Sequence, residues 1–280
     1  MANGSTHTVF VPEMMEDNKR KMLIANSIAA AIKNDEFSVF YQAKVNSDEQ
    51  VVGYEALLRW TSDALGFVSP AEFIPIAEQS GKILLVTQWV LEKVCKEFAQ
   101  VCSLNGSKVI VSVNLSAHDI KNPSLVNFIK KLFIEYNVDP HSVEFEVTES
   151  AYLENLEMAN DFLRHLREQG SSIALDDFGT GYSSLGYLTQ INLNTLKIDK
   201  QFVDNLQVSE RSTLITKTII EMAKQLNLQI CAEGVETREQ AEFLIHNGCH
   251  QLQGYLFSKP KSLKVLLQEK NGLVDLEEYS

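Results

Sequence analysis

Apolar positions along the chain fall into two kinds of run, and their order predicts a series of elements. Short, nearly continuous apolar stretches read as buried strands: Phe37–Asn46, Val51–Trp60, Val109–Ser116, Val143–Ser150, Ser171–Phe178, Leu196–Asp199, Leu228–Glu236 and Gln251–Phe257. Between most of them lie helical patterns, at Ala71–Gln79, Ile83–Cys102, Leu125–Tyr136, Leu156–Glu168, Glu210–Leu226 and Arg238–His246. Ser69-Pro70 signals the start of the first of these, with proline just inside the opening turn. An amphipathic helix is expected earlier, over Met14–Asn34, with Met22, Leu23, Ile28, Ala29 and Ile32 near one face.

Strands alternating with helices predict a single α/β domain, an irregular TIM-like (β/α)8 barrel. The irregularity lies at its start. Only Ser47-Asp48-Glu49-Gln50 separates the first two strands, too few residues for a crossover helix, so that pair must run antiparallel. A doubly wound open sheet is the structural alternative, but its Gly-rich dinucleotide turn is missing. No linker or low-complexity tract divides the 280 residues.

Composition narrows the classes of function. The 45% hydrophobic and 22% charged content suits a globular protein with a full core, and no apolar run reaches the ~20 residues of a membrane span. The first twenty residues carry no apolar signal-peptide stretch, so a cytoplasmic chain is expected, alone or as the cytoplasmic part of a membrane protein. A net charge of −12 disfavours DNA or RNA as a partner. Cys95, Cys102, Cys231 and Cys249 form no C-x-x-C pair and read as free thiols.

The chemistry is legible where polar residues interrupt or end apolar strands. Glu55, Asn114, Glu146, Asp176, Asp177, Lys197 and Glu233 all do so, several of them mid-run, as in Val113-Asn114-Leu115 and Phe145-Glu146-Val147. A core would not accept such groups unpaired. In a barrel they would meet at the mouth formed by the strands' carboxyl ends. Converging carboxylates repel one another, and a divalent cation relieves that repulsion. Oxygen ligands with one amide favour Mg²⁺ or Mn²⁺, and the adjacent Asp176 and Asp177 suit two ions sharing a carboxylate. The segment Asp177–Ser184, with Gly179 and Gly181, lacks the G-x-x-x-x-G-K-[ST] phosphate loop and reads as a functional turn starting on the ligands.

These residues sit in a recognisable ordered set. Glu55-Ala56-Leu57-Leu58-Arg59 is followed by Phe73–Glu78, Asn114-Leu115-Ser116, Glu146-Val147-Thr148-Glu149, Asp176–Leu185, Lys197-Ile198-Asp199, Glu233-Gly234-Val235-Glu236 and Gln253-Gly254-Tyr255, with Tyr41-Gln42 before them all. From about Phe37 to Lys259 the chain resembles the EAL family of cyclic di-GMP phosphodiesterases. The resemblance implies two Mg²⁺ or Mn²⁺ ions, the first held by Glu55, Asn114, Glu146 and Asp176, the second by Asp176, Asp177 and Glu233. It implies that Lys197 contacts the attacking water and that Lys197 or Glu233 accepts its proton. Glu149 resembles the residue that fixes the Asp177–Leu185 loop, near which the family forms homodimers. Gln253 would support the metal-bound waters, and Gln42, Leu58, Arg59 and Glu236 would contact substrate. The product would be linear pGpG.

One departure is visible: Ala43-Lys44 follows Tyr41-Gln42 where the family usually has proline, and this removes no ligand. Residues 1–34 resemble the extension and helix that link a GGDEF domain to an EAL domain, leaving 35–280 as the phosphodiesterase domain. A GGDEF or sensory domain in a longer parent chain is therefore an expected partner. Some EAL domains are catalytically silent receptors or interaction modules; those usually lack part of the acid set, which is complete here.

Overall fold

The computed structural model describes residues 12–105, 108–179, 185–206 and 208–272. In chain order the strands are β1 (Phe37–Val45), β2 (Val51–Ser62), β3 (Gly66–Val68), β4 (Ile110–Leu115), β5 (Val143–Thr148), β6 (Ser172–Phe178), β7 (Thr195–Ile198), β8 (Gln229–Ala232), β9 (Gln251–Gln253) and β10 (Lys261–Ser262). The helices are α1 (Pro12–Lys33), α2 (Pro70–Gln79), α3 (Ile83–Ser103), α4 (Ala117–Ile120), α5 (Ser124–Glu135), α6 (Glu149–Glu154), α7 (Leu156–Glu168), α8 (Lys200–Asp204), α9 (Glu210–Gln225), α10 (Arg238–Asn247) and α11 (Leu263–Lys270).

Strands β2, β4, β5, β6, β7, β8 and β9 pair in parallel in that order, and β1 closes the ring by pairing antiparallel with both β2 and β9. This is the irregular TIM-like barrel the strand pattern predicts, and the four-residue β1–β2 connection is its cause. Short strands β3 and β10 flank β2 and β1 outside the ring. Side chains alternate along each strand. Val143, Phe145 and Val147 of β5 join the apolar core, whereas Glu144 and Glu146 are buried beside Lys44 of β1.

A second apolar cluster packs on the part of the β1–β2 hairpin that extends past the β2–β4 pairing, where Trp60 meets Phe73 edge-on at 5.4 Å between ring centres. Helix α1 contributes Ile24, Ile28 and Ala31 to it. That corrects the expected face: Met22 and Leu23 are 66% and 54% exposed, and the buried stripe follows the i, i+4, i+7 spacing from Ile24.

Three predicted strands stop early, each for a local reason. Val143–Ser150 ends at Thr148, whose hydroxyl accepts the Ala151 N–H at 3.3 Å and caps α6, so Glu149 opens a helix. Leu228–Glu236 ends at Ala232, and Gly234 follows with φ +66°. Gln251–Phe257 ends at Gln253 because Gly254 lies against Val235, where an added Cβ would stand 2.1 Å from the carbonyl oxygen. Glu233 directly follows the end of β8, and Gln253 is the last residue of β9.

Candidate active site

The polar residues that end the strands meet in one connected cluster. Lys197 of β7 is fully buried at its centre. Its ammonium bonds the Glu146 carboxylate and lies 2.5 Å from Glu233 Oε1, 3.0 Å from Asp176 Oδ2 and 3.8 Å from Glu55 Oε2. Asn114 Nδ2 donates to Glu55 Oε1 at 2.7 Å, and Gln253 Nε2 donates to Glu55 Oε2 at 2.7 Å and to Gln42 Oε1 at 3.0 Å. Glu55 lies near the end of the part of β2 that pairs with β4, and the other parallel strands contribute near or just past their carboxyl ends, the position where this architecture places its chemistry.

Asp176 and Asp177 are adjacent, which on a regular strand would send them to opposite faces. Between Leu175 and Phe178 the register against β7 shifts, and Asp177 adopts φ +55°. Its N–H donates to Asp176 Oδ1 at 2.8 Å. A bulge re-aims a side chain in this way, at a cost of order 1–3 kcal/mol in a sparsely populated backbone region. The Asp177 carboxyl interacts with Asp176, Asp199 and Lys197.

Charge states follow from burial and crowding. Burial pulls the Lys197 ammonium down, but Asp176, Glu146, Glu233 and Glu55 together hold it well above its ordinary value. Burial would raise Glu146, yet Lys197 and Lys44 bring it down to about 2. Glu233 is pushed up to about 8 by burial against the opposing pull of Lys197, with Asp176 and Glu55 adding to the rise. Burial and the neighbouring Asp176 and Asp199 push Asp177 up to about 6.

The donor set fits a hard divalent cation. Glu55, Glu146 and Glu233 each offer an oxygen, all within 4.8 Å of one another, and Asp176 adjoins them through Lys197. Gln253 Oε1 is buried without a hydrogen-bond partner in the described structure. When fully ionised, the carboxylates of Glu55, Glu146, Asp176, Asp177 and Glu233 outnumber the Lys197 ammonium among them, an excess of negative charge that divalent cations would offset.

Residues expected to touch substrate divide between two adjoining cavities. Gln42, Glu236 and Gln253 line one of about 330 Å³, together with Glu55, Asp176 and Glu233. Leu58 and Arg59 line another of about 620 Å³, shared with Asn114 and walled by Ile74, Ile83, Val86 and Val90. Leu57 borders both. Arg59 is half-buried, its guanidinium 5.6 Å from the centre of the Phe40 ring and donating to Leu58 O at 2.9 Å. Glu236 pairs with Lys200 at 2.6 Å on the open side.

Glu149 lies apart from the ring. One carboxylate oxygen accepts the Gly179 N–H at 3.0 Å and the other the Tyr187 hydroxyl at 2.5 Å. It thereby holds the chain on both sides of residues 180–184, which lie outside the described residues along with most of the expected Asp177–Leu185 loop. Lys44 and Asp199 stand in the sequence motifs without a role, and Glu144 is not among them. Glu144 carried the same signal as Glu146, a carboxylate between apolar strand residues.

A ring of carboxylates and amides around an embedded lysine, at the mouth of a TIM-like barrel, defines the class of site. Residues 25–260 match the family model described as EAL domain, and the chain belongs to that family. It is similar to the signaling protein YkoW of Bacillus subtilis, 40% identical over 82% of this chain and 29% of YkoW. It is also similar to the cyclic di-GMP phosphodiesterase NbdA of Pseudomonas aeruginosa, 35% identical over 92% of this chain and 33% of NbdA. The chain therefore spans about a third of the length of these curated relatives. Among solved structures, the phosphodiesterase PaMucR in complex with c-di-GMP superposes with a TM-score of 0.83 at 34% identity, over 87% of this chain and 99% of that one. No helix among the described residues is long and apolar enough to cross a membrane.

Proposed function

We propose that this chain is a metal-dependent phosphodiesterase that hydrolyses cyclic di-GMP to linear pGpG. The observation that carries the reading is the single cluster of Glu55, Asn114, Glu146, Asp176, Lys197 and Glu233 at the barrel mouth, in a family whose named members include cyclic di-GMP phosphodiesterases. Glu55, Asn114, Glu146 and Asp176 would hold one Mg²⁺ or Mn²⁺, and Asp176, Asp177 and Glu233 a second. Bound there, the pair would neutralise the phosphate and make water nucleophilic at neutral pH.

The chain's own groups supply the rest. Lys197, surrounded by carboxylates, has no free lone pair and orients the attacking oxygen as a donor through Nζ. Glu233 would then be the proton acceptor of the two candidates when ionised, which in the metal-free site it becomes above about pH 8. Gln253 Oε1, buried without a partner among the described residues, would accept from a metal-bound water. Arg59 suits a phosphate through its planar fork of donors, and the apolar walls beside it suit a flat base. Gln42 and Glu236, on the smaller cavity, would contact the other half of the substrate. A homodimer, and a GGDEF or sensory domain elsewhere in a longer chain, belong to the same reading.

The test is incubation of purified protein with cyclic di-GMP and Mg²⁺ or Mn²⁺, with pGpG separated by chromatography. Product is expected with either ion and none in excess EDTA. Ca²⁺ is expected to inhibit, because its looser coordination at ~2.3–2.6 Å holds substrate without placing the water. Full activity in EDTA would remove the mechanism.

Glu149→Ala is expected to lower turnover on the order of 10-fold or more at limiting Mg²⁺, with partial recovery in excess Mg²⁺, by analogy with other groups that orient metal ligands. The two bonds from Gly179 and Tyr187 support its role as an anchor for the segment that begins at Asp177. Steady-state rates across an Mg²⁺ titration check this, and a variant with unchanged rates at every concentration would contradict it.

A further inference from the structure

A second buried cation lies one layer below the acidic ring. Lys44, near the end of β1, pairs in register with Gly53 and Gln253, whereas Gln42 pairs with Glu55. Its side chain is 2% exposed and reaches across the barrel interior to β4 and β5. Nζ lies 2.6 Å from Ser112 Oγ, 2.6 Å from Glu146 Oε1 and 3.3 Å from Glu144 Oε1. Burial alone would lower this ammonium, but Glu146 and Glu144 beside it keep it raised.

The two glutamates have different surroundings. Glu144 is saturated within its own layer, accepting the Ser112 hydroxyl at 3.0 Å and the Thr195 hydroxyl at 2.7 Å besides Lys44. Glu146 is shared between layers: Oε1 bonds Lys44 below, and Oε2 meets Lys197 in the ring. The terminal torsion of a glutamate is broad and roughly two-fold, so its own rotamer preference does not decide which oxygen faces the ring. Lys44 decides it. Glu144 alone would neutralise Lys44, so the bond to Glu146 is more than compensation of buried charge.

We propose that Lys44 is a positioning residue for the metal site. It occupies Glu146 Oε1 and thereby presents Oε2 alone to the ring as a one-oxygen ligand. This rests on the reading of the ring as a cation site. Without Lys44 the carboxylate could turn and offer both oxygens, altering the ion's coordination and the places left for water.

The experiment measures Mn²⁺ binding to native protein, Glu144→Gln and the double variant Lys44→Met/Glu144→Gln, by calorimetry and by the electron paramagnetic resonance of free Mn²⁺. Thermal melts of the metal-free proteins run alongside. Glu144→Gln keeps a carbonyl oxygen for Lys44, and is expected to bind with native affinity. The double variant has the same net interior charge as native protein but lacks the clamp, and is expected to bind at least about 10-fold more weakly with a melt close to that of Glu144→Gln. Equal affinity in all three would overturn the assignment. Should the double variant lack a cooperative melt, Lys44→Gln/Glu144→Gln carries the test, since it keeps hydrogen-bonding groups in the layer but still removes the ammonium from Glu146 Oε1. Weaker binding supports the proposal there too, and an unchanged dissociation constant overturns it. Native protein that binds no Mn²⁺ would instead defeat the cation-site reading, and this inference with it.

Discussion

Asp177→Asn is expected to cut hydrolysis of cyclic di-GMP by on the order of 100-fold or more, the loss seen when one group that stabilises transition-state charge is removed. The proposed site assigns Asp177 to one cation only, while Asp176 serves both. The substitution replaces a charged oxygen ligand by a neutral group of the same size. Asparagine also tolerates the left-handed backbone that Asp177 occupies at φ +55°, so the bulge in β6 should persist. Binding of cyclic di-GMP should survive, measured with Ca²⁺ so that native protein does not consume it. The variant would then behave as the silent receptor that forms the rival reading of the native chain. Hydrolysis at the native rate would contradict the assignment of Asp177.

Lys197→Arg is expected to lower turnover by a similar factor, on the order of 100-fold or more, although the positive charge is kept. The Lys197 side chain is wholly buried, and its single nitrogen meets Glu55, Glu146, Asp176 and Glu233 at once. A planar guanidinium cannot reproduce four convergent contacts around one point. The measurement is kcat at saturating Mn²⁺, with a thermal melt to separate lost chemistry from lost fold. Near-native turnover would mean that placement at this position is unimportant, and the water-orienting role would fail.

Much of this architecture was readable in the sequence because barrel strands are nearly continuous apolar runs. Against that background Asn114 between Val113 and Leu115, or Glu146 between Phe145 and Val147, stands out as a group a core would reject. The antiparallel start followed from a connection too short to cross over. Less legible were features decided by contacts between distant elements. Lys44 lies near the end of a strand, where a lysine usually reaches solvent, and only closure of the barrel brings Ser112, Glu144 and Glu146 to it. Glu149 read as strand because the apolar pattern ran on, whereas the Thr148 cap turned the chain into α6. On α1 the periodicity pointed to a face with Met22 and Leu23, whereas packing against Phe37, Trp60 and Phe73 buries the one bearing Ile24 and Ile28. The bulge that brings Asp176 and Asp177 together leaves no mark in the apolar pattern, although the pair of acids did.

The most direct test of the central claim is a single turnover of cyclic di-GMP in water enriched with oxygen-18, with Mn²⁺ present and the product analysed by mass spectrometry. Attack of water at phosphorus, with loss of the ribose 3′ oxygen, predicts linear pGpG carrying one oxygen-18 atom in its terminal phosphate. Unlabelled product, or bound cyclic di-GMP recovered intact after prolonged incubation, would contradict it.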